Sequence, residues 1–231
     1  MLQNQSSVAQ LIDHTLLRAD CTSQEIQKLC AEAKEYGFFS VCIHPFFIDQ
    51  AKIELSGSAV KICTVIGFPL GANLTSTKAT ECEQALAAGA NEVDMVINIS
   101  ALKDKRDSVI LEDIKGVVTA ARGCPVKVIL ETALLNEQEK ILACELAKEA
   151  GAQYVKTSTG FARPAHGPAG ATVEDIRLLR TIVGPEMGVK ASGGIRDLAT
   201  ATAMIAAGAT RLGTSNSVAI VGATTLITGD Y

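Results

Sequence analysis

Apolar residues in this chain gather into eight short runs, each followed by a longer stretch in which they recur every three or four positions. The runs cover residues 11–15, 39–43, 61–66, 93–98, 126–131, 154–159, 188–192 and 211–214. They are rich in β-branched residues and read as buried strands, and the stretches between them read as helices. Several helices open on a polar cap: Thr22 or Ser23 with Glu25 and Gln27, Thr75 with Ser76, Asn136 with Glu137, and Thr172 with Glu174 and Asp175. Four times the helical stretch closes on a glycine, at Gly37, Gly89, Gly151 and Gly208, before the next apolar run. A glycine there supplies the left-handed turn that ends a helix.

Eight strand–helix units without a linker or low-complexity tract predict an α/β fold of the closed (β/α)8 TIM barrel type. A single domain is expected over 1–231, with a short N-terminal helix and a C-terminal tail. The alternative, a doubly wound open sheet, fits less well because no G-x-G-x-x-G follows the first strand.

Composition narrows the picture. A chain of 231 residues suits one domain of the larger kind, and 48% hydrophobic residues with 4% aromatics and no Trp imply an aliphatic core. The net charge of −4 gives no footprint for nucleic acid. The N-terminal Met-Leu-Gln-Asn-Gln-Ser-Ser has neither a basic flank nor a long apolar stretch, so no signal peptide or membrane span is expected. Seven cysteines, an odd number without C-x-x-C spacing, read as reduced thiols of a cytoplasmic protein. The three histidines form no H-x-H or H-E-x-x-H pattern, so no metal is expected and a metal-dependent aldolase is disfavoured.

Barrel enzymes carry their chemistry where strands end and the following loops begin. That rule selects Asp13, His14, Cys42, Asp94, Asn98, Glu131, Thr132, Lys156, Lys190 and the turns at 192–194 and 213–216. Lys156 and Lys190 fall on consecutive strands, the sixth and seventh. Two ammonium groups about 4 Å apart at an effective dielectric near 20 repel by about 4 kcal/mol. One therefore disfavours protonation of the other, leaving a neutral amine able to attack a carbonyl. Lys61 and Lys127 open their strands and are expected at the barrel's bottom as structural charges. Asp94 lies within an apolar strand, where it either moves protons with Lys190 or merely pairs with a lysine; Asp13 carries the same two readings. The glycine turns Gly193-Gly194 and Gly213-Thr214-Ser215 follow strands seven and eight, the usual phosphate cradle of barrels, and Gly160 is placed to contribute from the sixth loop.

Six segments in order then resemble one family, the deoxyribose-phosphate aldolases. They are Ile12-Asp13-His14-Thr15-Leu16-Leu17, Val41-Cys42-Ile43-His44-Pro45, Val65-Ile66-Gly67-Phe68-Pro69-Leu70-Gly71, Glu92-Val93-Asp94-Met95-Val96-Ile97-Asn98, Lys156-Thr157-Ser158-Thr159-Gly160-Phe161 and Lys190-Ala191-Ser192-Gly193-Gly194-Ile195-Arg196. The resemblance implies a barrel and a class I aldolase without cofactor. Its reaction is the reversible cleavage of 2-deoxy-D-ribose 5-phosphate to D-glyceraldehyde 3-phosphate and acetaldehyde. Carried across, it makes Lys156 the Schiff-base lysine, Lys190 its pKa-lowering and proton-relay partner and Asp94 the proton donor and acceptor. It places phosphate on Gly193, Gly194, Gly213 and Ser215, with Cys42 bordering the pocket and Asp13, Thr15, Thr157, Gly160, Arg196 and Asn216 as further substrate contacts. Tyr231, the last residue, is the counterpart of a terminal tyrosine that carries a proton in some members.

Two departures stand out. The loop 161–170 is longer than the family's usual connection and adds Arg163 near the phosphate end, and Asn216 replaces a small hydroxyl residue. Two other readings remain open, a Schiff-base aldolase with a different donor and a non-catalytic sugar-phosphate binder. The expected partner is a small phosphorylated sugar. The sequence leaves the oligomeric state open, with a homodimer as the assembly considered.

Overall fold

In the computed structural model, which describes residues 8–222, eight parallel strands close into a barrel in chain order. They are β1 Ile12–Leu16, β2 Ser40–Ile43, β3 Lys61–Ile66, β4 Glu92–Val96, β5 Val126–Ile129, β6 Tyr154–Lys156, β7 Gly188–Ser192 and β8 Arg211–Thr214. The pairing of β8 with β1, Asp13 opposite Gly213, closes the ring and excludes the open sheet.

Strand alternation sorts the residues by chemistry. Ile12, Val41, Ile43, Val93, Met95, Val128, Val155, Val189 and Leu212 are fully buried in one apolar cluster with the surrounding helices. Their neighbours point to the axis, and many are polar or charged: Asp13, Ser40, Glu92, Asp94, Lys127, Lys156, Lys190 and Arg211, all buried. The hydrophobic core is therefore a sleeve between sheet and helices, and the axis is ionic.

The caps explain where helices start. Thr22 accepts from the Glu25 N–H in a capping box that opens Ser23–Tyr36, Asn136 does the same with Glu139 for Glu137–Glu149, and Thr172 accepts from Asp175 for Val173–Val183. Gly37, Gly89, Gly151 and Gly208 all carry positive φ, as the turns require. Thr75 departs from expectation. It is the first residue of Thr75–Ala88, and its hydroxyl donates to Asp113 of the helix Asp107–Ala120 at 3.0 Å instead of capping.

Three strands end earlier than their apolar runs. β4 stops at Val96, because Asn98 turns to cap Ile99–Lys103 by accepting from Ala101 at 3.0 Å. β5 stops at Ile129, since Glu131 lies in left-handed backbone at φ 59°. β6 is only Tyr154–Lys156, so Thr157 to Thr159 belong to the loop that frames the site.

Candidate active site

Lys156 and Lys190 are register partners on β6 and β7, and both amines donate to the same oxygen, Asp94 Oδ2, at 2.8 Å each. The other carboxylate oxygen, Oδ1, accepts from Lys127 at 2.9 Å and from the Cys63 thiol at 3.1 Å. Lys190 also donates to Asp13 Oδ2. Asp13 Oδ1 accepts from Ser40 Oγ at 2.7 Å and from Arg211 Nη1 at 2.9 Å. Glu92 completes the set, with Oε2 at 3.0 Å from Arg211 and 2.7 Å from Lys127. Below it, the Arg211 guanidinium lies 3.5 Å from the centre of the Phe39 ring. A Cβ on Gly188 would sit 2.1 Å from the Tyr154 ring, so that glycine makes room for the aromatic plug.

Three carboxylates thus face four cations along the axis. Burying any of them alone would be prohibitive, so each survives through its partners. Burial pushes the Asp94 carboxyl up, but Lys127, Lys156 and Lys190 override it and hold Asp94 well below the usual carboxylate range. Asp13 is treated likewise by Lys190, Lys127 and Arg211. Burial depresses Lys190, yet Asp13 and Asp94 more than restore it, so this lysine stays a cation. The Cys42 thiol is lowered by its hydrogen bond with Cys63, its register partner on β3, while burial pushes Cys63 up.

Lys156 forms the floor of a cavity of about 510 Å³ at the C-terminal mouth of the barrel. Its wall is built from Thr15 near the end of β1 and Arg18 beyond it, Ser158 to Phe161 after β6, Gly193 to Arg196 after β7, and Gly213 to Asn216 at the end of β8. Gly193 and Gly194 adopt φ of 83° and 80°, left-handed backbone that side chains rarely tolerate. The buried hydroxyl of Ser158, on the same wall, has no hydrogen-bond partner among the described residues. Arg163, from the long sixth loop, joins the wall. That loop is tied to the seventh: Ala171 N donates to Ser192 O at 3.0 Å and Gly193 O at 3.1 Å, and a Cβ on Gly170 would lie 2.3 Å from Gly193 O.

The structure therefore brings Lys156, Thr15, Gly160, Gly193, Gly194, Arg196, Gly213, Ser215 and Asn216 around one cavity. Lys190 and Asp94 lie just beneath it. Three expected substrate contacts do not line it: Asp13, Cys42 and Thr157 are fully buried behind the wall. Asp13 is taken up by Lys190, Ser40 and Arg211, and Thr157 Oγ1 donates to Ser192 O at 3.1 Å. Cys42 packs with Leu17, Cys63 and Val65 under Phe68. Tyr231 lies outside the described residues.

The expectation for Lys127 needs correction. Lys61 is exposed as a strand-opening lysine should be, but Lys127 is fully buried and reaches Asp94. It stands opposite Asp94 in the β4–β5 register, and its long stem carries the amine up the axis. Glu92 and Arg211 were missed for the same reason. Glu92 lies two residues before Asp94 on β4, and the register carries the same inner face to Lys127 opposite Asp94 and to Arg211 opposite Lys190.

Comparisons with known proteins agree with this geometry. The family model described as DeoC/LacD family aldolase matches residues 7–226. A deoxyribose-phosphate aldolase of Geobacillus sp. (strain WCH70) is 57% identical over 218 residues, covering 94% of this chain and 96% of that protein. One from Carboxydothermus hydrogenoformans is 58% identical over 220 residues, covering 94% of each. A deoxyribose phosphate aldolase from Aeropyrum pernix, described as a unique tetramer, superposes with a TM-score of 0.89 at 34% identity, covering 98% of this chain and 94% of that one. With an ion-lined barrel, a lysine-floored cavity and a family match over nearly its whole length, this chain belongs to the DeoC/LacD aldolase family.

Proposed function

We propose that this protein is a class I aldolase that cleaves 2-deoxy-D-ribose 5-phosphate reversibly to D-glyceraldehyde 3-phosphate and acetaldehyde through a Schiff base on Lys156. One observation carries the reading: two lysines share a single carboxylate oxygen at the floor of a cavity whose far wall is glycine turns and arginines. The axis holds four cationic side chains to three carboxylates. Of those cations, Lys156 is the one that lines the cavity.

In this reading the free amine of Lys156 adds to the aldehyde carbon of the open-chain sugar and forms a carbinolamine. The loss of Lys156's charge removes one of the cations facing Asp94 Oδ2, which makes that carboxylate a better base. Asp94 then passes protons between the nitrogen and the departing hydroxyl, and water leaves to give the iminium. Lys190 remains charged and holds Asp94 in place. Solvent water entering the open cavity takes the C3 hydroxyl proton, the C2–C3 bond breaks, and its electron pair moves into the iminium to give an enamine. Glyceraldehyde 3-phosphate departs, the enamine carbon takes a proton, and water releases acetaldehyde and regenerates the amine. Backbone N–H groups of Gly193, Gly194 and Ser215, with Arg196 and Arg163, receive the phosphate.

We infer a cytoplasmic location, and its support is the seven cysteines, all of them free thiols. A homodimer is put forward as its assembly. The support is the exposure of Phe46, Ile53, Leu70 and Leu74, and sedimentation equilibrium tests it.

The deciding experiment is borohydride reduction in the presence of acetaldehyde, followed by peptide mapping. A two-carbon adduct on Lys156, with cleavage of deoxyribose 5-phosphate abolished in Lys156→Ala, is expected. An adduct elsewhere, or turnover surviving in Lys156→Ala, overturns the assignment.

A further inference from the structure

Glu131 is a buried carboxylate at the catalytic end of β5 that the mechanism above leaves unused. Among the described non-glycine residues with positive φ, Lys105 and Arg122 sit on exposed turns, whereas Glu131 is buried beside the site. Its backbone is left-handed, φ 59° and ψ 59°, a conformation a glutamate adopts only when its surroundings dictate it.

The ladder shows the cause. Leu130 N donates to Lys156 O at 2.9 Å, and Thr132 N donates to Thr157 O at 2.9 Å. The donors are two residues apart while the acceptors are adjacent, so β5 has one residue too many. Glu131 is that residue, a bulge of the kind that re-aims a side chain next to an active site. Its carboxylate crosses to the loop after β6, where it accepts from Thr159 N at 3.3 and 3.2 Å and from Thr159 Oγ1. Thr159 Oγ1 in turn accepts from Phe161 N at 3.0 Å, and the Phe161 ring meets Phe68 edge-on at 5.3 Å.

The segment from Lys156 to Thr159 is thereby gripped on both sides. On the β7 side, Thr157 Oγ1 accepts from Ser192 N at 3.0 Å, and Ser192 Oγ donates to Ser158 O at 2.7 Å. On the β5 side the grip is Glu131. Ser158 and Thr159 follow two and three residues after Lys156, so an error in their placement displaces the lysine, while the glycine turns after β7 and β8 that form the facing wall stay in place.

We propose that Glu131 is a positioning residue of the aldolase reaction, using its bulged backbone to clasp Thr159 and fix the segment that carries Lys156. The inference rests on the aldolase reading given above. Misplacing a reacting group by an ångström costs up to about a hundredfold in rate.

The test compares Glu131→Gln, Glu131→Gly, Thr159→Ala and the double variant Glu131→Gly/Thr159→Ala in deoxyribose 5-phosphate cleavage. Glycine accepts the left-handed backbone, so Glu131→Gly removes the carboxylate while relieving the strain. Glu131→Gly and Thr159→Ala are expected to lower kcat by about tenfold or more with KM changed by less than about twofold. Glu131→Gln, which keeps one acceptor, should fall between them and the wild type. The double variant should be no slower than the worse single one, because both break the same link. Wild-type kcat in Glu131→Gly, or losses that multiply in the double variant, overturns the proposal. Borohydride trapping keeps the two ideas separate: failure of the wild type to trap acetaldehyde on Lys156 defeats the aldolase reading. Normal trapping in both proteins with unchanged kcat in Glu131→Gly defeats only the role of Glu131.

Discussion

Lys127 stands directly opposite Asp94 in the β4–β5 register and donates to its inner oxygen at 2.9 Å, while two other lysines hold the outer one. The carboxylate between them is both the barrel's central counter-ion and the group best placed to move protons. Substitutions here should therefore damage stability and turnover together.

Asp94→Asn tests that directly. It removes the negative charge that Lys127, Lys156 and Lys190 share at a buried position. Breaking a buried ion pair from one side costs about 3–5 kcal/mol, and loss of a proton-transfer group lowers rate by about 10²–10⁴-fold. Urea denaturation and kcat should show both effects. Retained stability would mean the three lysines are not charged together.

The buried pair Lys78–Asp113 offers a contrast. Lys78 is fully buried on Thr75–Ala88, 2.5 Å from Asp113 Oδ2 and 3.0 Å from Val96 O, and shares no group with Asp94. Lys78→Met should cost about 3–5 kcal/mol in unfolding free energy. The kcat of the folded enzyme should stay near wild type, and Lys78→Met/Asp113→Leu should recover most of the stability. A collapse of kcat in the folded protein would show that this pair reaches the site.

Stability against pH follows from the shifted groups. Asp13 and Asp94 have depressed pKa values in the fold, so their contribution is present above the unfolded value of about 3.9 and is lost as pH falls below it. Lys127, Lys190 and Arg211 are raised, so theirs holds below about pH 10.4 and fades only above it. The alkaline limb begins sooner because burial pushes Cys30 and Cys82 up to about 11 and Cys144 up to about 12. These thiols stay protonated in the fold but ionise in the unfolded chain above about pH 8.5, which favours unfolding. Burial also lowers His14, which the unfolded chain protonates below about pH 6.5, so a stability plateau from about pH 6.5 to 8.5 is expected. Denaturant midpoints that rise between pH 8 and 10 would contradict it.

Gly213→Ala probes the joint between phosphate wall and ion network. A Cβ there would sit 3.0 Å from Lys190 Cε and 3.1 Å from Ser192 Cβ, and Lys190 is fully buried with nowhere to retreat. A loss of about tenfold in kcat/KM for deoxyribose 5-phosphate is expected. Wild-type kinetics would place the phosphate away from the β8 turn.

Much of this was legible in the chain itself. Short β-branched apolar runs separated by capped helices announce a barrel, and Lys156 and Lys190 stand on successive strands at matching depth. What escaped was depth along the axis. Lys127 and Arg211 sit near the starts of their strands, which suggests surface charge, yet inward parity and long stems carry both into the interior. Glu131 is selected as a strand-end residue, but its clasp on Thr159 was not legible, because an extra residue in a ladder is invisible until its partner strand is known. The inward retreat of Asp13 and Cys42 behind the cavity wall was likewise beyond reach, since strand parity does not say which inner layer meets solvent.

The separation of an ionic axis from an aliphatic sleeve has a consequence for how this enzyme can change. Each charged side chain on the axis answers to two or three others, so drift at any one of them is penalised by the rest. The tips of the loops after β6, β7 and β8 are held less tightly: Arg163 lines the cavity with its guanidinium donating to the carbonyl of its own neighbour Ala162. New substrate preferences should accordingly arise by remodelling the rim, with the machinery beneath it inherited unaltered.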